Sequence, residues 1–206
     1  MRTPLLKIVG WKDIFSINRI LTTLVLSDIF LISSFGLVSP IFAVFVNQQV
    51  LGGSLIVVGI GEAIYLAIKS ILQLPIGILI DKVSGEKIDL FLAFGGSFLM
   101  NVSVFLYIFA RLPVHIYLIQ ALMGVAGAIS YPAWMGLFTR NMEQGRESFV
   151  WSVHSTFTEL FSAAAAAIGS YLAVTFGFHS LFLIVAIMGF VGTLLLLFIY
   201  PKIKKA

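Results

Sequence analysis

Six apolar stretches, each about as long as the ~20 residues a helix needs to cross a bilayer, leave this chain almost nothing from which to build a soluble domain. They cover residues 20–46, 55–80, 88–110, 113–138, 149–174 and 178–200 of 206. Between them lie only short turns. Of all residues 60% are hydrophobic and 11% charged, with a mean hydropathy of +1.07, where a soluble domain carries about a quarter charged residues. Runs such as LFLIVAIMGFVGTLLLLFIY do not alternate, which excludes a barrel of transmembrane strands and leaves helices. The fold expected is all-α and polytopic, with six transmembrane helices over residues 20–200. Before them, residues 1–19 read as an amphipathic interfacial segment, and after them residues 201–206 form a basic tail. The first apolar run is too long for a signal peptide and has no small-residue cleavage site near its end.

Lysine and arginine set the orientation. Arg2, Lys7, Lys12 and Arg19 precede the first span, Lys82 and Lys87 follow the second, Arg140 and Arg146 follow the fourth, and Lys202, Lys204 and Lys205 follow the sixth. Opposite them stands Arg111, with Lys69 inside a span. This bias predicts both termini in the cytoplasm and a location in the cell (inner) membrane. The net charge of +4 then reflects topology and attraction to anionic lipid, and calls for no nucleic-acid partner. Without cysteine there is neither disulfide nor thiolate chemistry. No P-loop, G-x-S-G serine or H-E-x-x-H pair is present. The sequence thus predicts no enzyme and no cofactor.

Ionisable residues inside spans cost several kcal/mol unless they face protein or water. On the second span Glu62, Lys69 and Gln73 share one stripe, with Gly77 at its border. On the fifth, Ser155, Glu159, Ser162 and Gly169 do the same, which puts Glu159 at a depth comparable to Lys69. The fourth span offers Gln120, Gly124, Gly127, Tyr131 and Trp134, and the first Asp28, Phe35 and Ser39. Asp28, Glu62, Lys69, Gln73, Gln120, Tyr131, Trp134 and Glu159 are therefore candidates for a solute cavity or for ion coupling. Asp28 has an alternative as a cap or a partner of Arg19, and Lys69 with Glu159 as a static clamp between helices. His154 reads as a packing residue.

Between the second and third spans, GILIDKVSGEK carries Gly77, Leu79, Asp81, Lys82, Gly85 and Lys87. This turn resembles the G-x-L-x-D-R-x-G-R-K motif of the major facilitator superfamily. It departs from that motif in placing its glycine one residue late, after Ser84, and in having Glu86 where a base is usual. A second run, QALMGVAGA, resembles R-x-x-x-G-x-x-x-A of the same family, with Gln120 in place of the arginine. The run FTR through Glu147, Trp151 and Ser152 is similar to compact six-helix bacterial members.

The resemblance implies the amino-terminal half of a two-half transporter. Gly77, Asp81, Lys82, Gly85 and Lys87 would form the cytoplasmic gating turn, and the first and fourth helices would line the cavity. With Met1 at one end and PKIKKA at the other, the expectation is a whole chain with one half, completed as a parallel homodimer through helices 2 and 5. Its function would be transport of a small solute by alternating access, secondary active or facilitative. The alternative is a non-transporting six-helix subunit or adaptor. Gln120 cannot carry the arginine's charge, so the family's usual proton route is not expected.

Overall fold

The computed structural model describes residues 17–83 and 85–203, and every regular element among them is helical. The expected interfacial segment falls almost entirely outside the described residues, as does the end of the basic tail. Helix α1, Arg19–Val38, is capped by the Asn18 side chain, which accepts from the Ile20 amide at 3.0 Å. A single 3-10 turn at Ser39–Ile41, where Pro40 removes a backbone donor, separates it from α2, Phe42–Gln49. The first span is therefore two helices rather than one. Then follow α3, Leu55–Val83, α4, Glu86–Leu106, and α5, Pro113–Arg140, which keeps Pro132 in its interior.

The last element, α6, runs Glu147–Leu196 without an intervening loop. With the 3-10 turn Leu197–Lys202 the helical stretch is 56 residues long. At ~1.5 Å per residue a straight rod of that length would reach more than twice across a bilayer. It does not stay straight. Gly177 takes φ 78° and ψ 165°, a region open to glycine and to almost nothing else. The chain turns there, so residues 147–176 and 178–196 become the expected fifth and sixth passes. Six passes are made from five helical stretches.

Packing follows small residues. α6 lies against α1 along most of its length, α5 lies against both α3 and α4, and α4 also meets the second arm of α6. At the α1–α6 crossing Gly169 backs directly onto the Leu37 carbonyl, so closely that a Cβ would overlap it. Lipid offers no hydrophobic drive between helices, and such close backbone approach replaces it. Polar ties add to this. Ser27 donates to the Gly192 carbonyl at 2.7 Å and Asn101 to Thr193 at 2.8 Å.

Two apolar clusters close the ends of the bundle. One, around Leu21, Leu24, Leu90, Leu137 and Phe138, sits at the end where the chain enters and leaves; the other, around Val46, Tyr107, Ile116, Leu181 and Phe182, sits at the far end. Helix α3 stays largely uncovered, with Leu66, Ile71, Leu74 and Ile78 all exposed.

Candidate solute cavity

The α1–α6 pair and the α3–α5 pair are separated by space toward the middle of the bundle. A cavity of about 440 Å³ toward the far end is lined by Ser39, Val58, Glu62, Gln120 and Met123 among others. A second, of about 300 Å³ and nearer the termini, is lined by Asp28, Lys69, Ser130, Tyr131, Trp134 and His154. Phe35, Tyr65 and Met100 line both, so the two spaces adjoin across an apolar neck.

Each polar group is held by its helix. Gln120 is 5% exposed and lies against Gly61 of α3, whose missing side chain leaves its Cγ room. The Lys69 ammonium stands 5.0 Å from the Tyr131 ring centroid and 5.7 Å from that of Tyr65. Aromatic faces attract a cation at such distances and partly replace its water. Among the described residues no carboxylate pairs with it. On the other wall His154 Nε2 and Asp28 Oδ2 meet at 2.8 Å, joining α6 to α1. The imidazole is boxed by Trp134, Phe138 and Trp151, with ring centroids 5.2, 5.3 and 5.8 Å away.

The structure thus places six of the expected cavity residues on two adjoining spaces, Glu62 and Gln120 on the far-end one and Asp28, Lys69, Tyr131 and Trp134 on the other. Gln73 and Glu159 are placed elsewhere. Gln73 lines an outer groove of α3 with Ser70, Gly77, Asp81 and Pro132. Glu159 is exposed on α6 and has no ion-pair partner among the described residues, so the intrachain clamp with Lys69 does not form. Asp28 turns to His154 rather than to Arg19.

The expected gating turn is tighter than its sequence suggests. Asp81 and Lys82 belong to the last turn of α3, Gly85 caps α4, and Lys87 lies in the first turn of α4. Near it is a pair the sequence did not single out: Asp89, 1% exposed, is ion-paired to Arg140 at the end of α5. Asn141 of the same segment donates to Glu86 at 3.3 Å. Asp89 and Arg140 tie the start of α4 to the end of α5 beside that turn. The sequence signal for them was only an acid one turn into a helix and a base at the end of another.

The chain thus combines six passes, two adjoining cavities with ionisable and polar groups in their walls, and a charged α3–α4 turn. No curated protein matches the chain. The family model described as Major Facilitator Superfamily matches residues 24–206, nearly the whole of it. That family consists of transporters rather than enzymes, and this chain, a multi-pass membrane protein in contact with the lipid bilayer, belongs to it.

Proposed function

We propose that the protein carries a small solute across the cell (inner) membrane by alternating access, as one of two halves related by an axis along the membrane normal, the second half being another copy of the same chain. What supports this best is the position of the cavity. Its walls include α1, α3 and α5, and α3, which supplies Glu62 and Lys69, stays largely uncovered by the rest of the chain. A second half seated there would close it into a central site. The first arm of α6 is also exposed at Leu160, Phe161, Ile168 and Tyr171. A two-fold copy sets the α3 of one protomer against the α6 of its partner, and each exposed face meets the other.

Alternation needs contacts that exist in one state and not the other. The α3 groove with Gly77 and Asp81 suits this. Asp81 is exposed, and a carboxylate there favours the positive end of a helix, such as the α6 start of the partner, when the near side closes. Both termini are taken as cytoplasmic, from the lysine and arginine bias. Residues 1–19 are read as an interfacial segment and 201–206 as a tail. Energy comes from an ion gradient or from the solute's own gradient.

The absence of native cysteine makes the test clean. Leu74→Cys on one copy and Thr156→Cys on another lie on exposed positions at similar depth, about 14 Å of helix rise from their helix ends. Co-expressed in membranes, they are expected to cross-link. If both variants insert and no cross-link forms, the paired-copy reading fails. The chain is then a six-helix subunit or adaptor for a different membrane protein.

A further inference from the structure

The cavity walls hold two charged side chains without a charged partner among the described residues, Glu62 and Lys69. The other two ionisable groups there, Asp28 and His154, satisfy one another. Glu62 and Lys69 lie on the same face of α3, two helical turns and about 10 Å of rise apart. Glu62 faces the far-end space and Lys69 the near-end space. Phe35, Tyr65 and Met100, which line both spaces, form the stretch between them.

We infer that the cavity takes a zwitterionic solute with its charges set apart: an ammonium toward Glu62, a carboxylate on Lys69 and an apolar body across the neck. This rests on the cavity being the solute path. Glu62 is exposed and Lys69 half-buried, so both charges are accessible to a solute in the two spaces, and a ligand that carries the opposite charge at each end pairs with both. A simple anion or a simple cation leaves one of them unpaired, which is how a polar site rejects the wrong ligand. Gln120, buried beside Glu62 in the far-end space, adds a hydrogen-bonding group for the ammonium end. The Tyr131 face that now holds the Lys69 ammonium keeps it aimed into the cavity. The separation of the charges, rather than their presence alone, is the selective feature. An α-amino acid, with its two groups on one carbon, cannot reach both side chains.

The test is direct binding to the full chain in lipid nanodiscs, in the cross-linked preparation described above. Failure of assembly is thereby seen before, and apart from, failure of binding. Trp134 and Trp151 line the near-end space and report occupancy by fluorescence, with Trp11→Phe removing the third indole. The probes are ω-aminobutanoate, ω-aminohexanoate and ω-aminooctanoate, with hexanoate and hexylammonium as single-charge controls and alanine as the close-set zwitterion. Affinity is expected to peak at one of the two longer ω-amino acids and to exceed both single-charge controls by about tenfold or more. Lys69→Gln and Glu62→Gln are each expected to lose about tenfold for the zwitterion, while Lys69→Arg retains most of it. The inference is overturned if no ω-amino acid binds, if hexanoate or hexylammonium binds as well as the zwitterion, or if both neutralised variants bind unchanged. It is overturned equally if alanine matches the longer chains.

Discussion

Asp28 and His154, far apart in sequence and on different helices, are in hydrogen-bond contact at 2.8 Å, and both side chains are largely covered. The contact ties α1 to the first arm of α6 at the lower wall of the cavity. Removing one member leaves the other buried and uncompensated. His154→Ala is therefore expected to cost about 3 kcal/mol or more, and the double variant with Asp28→Asn to recover a good part of it. A double-mutant cycle of unfolding in detergent measures this coupling; a coupling near zero would mean that water already satisfies Asp28.

Arg140 and Asp89 make a comparable tie at the α3–α4 turn, but unequally, since Asp89 is buried and Arg140 partly exposed. The arginine can return to solvent when its partner is removed, and the aspartate cannot. Arg140→Ala is thus expected to lower stability more than Asp89→Asn does, by about 1–3 kcal/mol. Thermal melts of the two variants in the same detergent give the comparison.

Gly169 faces the Leu37 carbonyl with no room for a methyl group, whereas nothing lies within 4 Å of a Cβ built on Gly59. Gly169→Ala is expected to push α1 from α6 at a cost of about 1–3 kcal/mol. Gly59→Ala, in the interior of α3, is expected to be neutral or to stabilise by up to ~1 kcal/mol through helix propensity. Equal effects at the two sites would contradict the packing described.

Gly177 supplies the turn between the last two passes at φ 78°. Any L side chain there is strained, at about 1–3 kcal/mol. Gly177→Val is expected to reduce the folded yield sharply, and Gly145→Val, also at positive φ but in the α5–α6 connection rather than at a one-residue join between two helical arms, to do so less. Yield of monodisperse protein after purification distinguishes them.

Much of the fold was legible because lipid imposes one simple rule, that spanning segments be long, apolar and helical. The number of passes and their approximate limits followed. The break between residues 174 and 178 followed too; that it narrows to the single residue Gly177, with helix on both sides, did not, because a lone glycine in an apolar run has the same appearance whether it packs, as Gly169 does, or bends the chain. At the site, helical stripes put Glu62, Lys69, Gln120, Tyr131 and Trp134 on faces that the fold turns toward the two cavities, since residues on one face share one neighbour. Gln73 lies on that stripe but one turn further along, in the outer groove of α3, and Glu159 faces outward. The Asp28–His154 and Asp89–Arg140 ties escaped notice because each joins helices whose relative rotation no single periodicity contains.

The break at Gly177 has a mechanical meaning. Most consecutive passes of a membrane bundle are joined by a flexible loop that absorbs relative motion, but here a single residue stands between residues 147–176 and residues 178–196. That residue is a glycine with open space around it, so its φ and ψ are where the angle between the two arms is set. The first arm bears Glu159 on the uncovered side and His154 at the cavity wall, and the second is fastened through Thr193 and Gly192 to α4 and α1. A tilt of the outer arm is therefore taken up at one residue, which makes Gly177 the hinge pin between an arm that faces outward and an arm tied into the bundle.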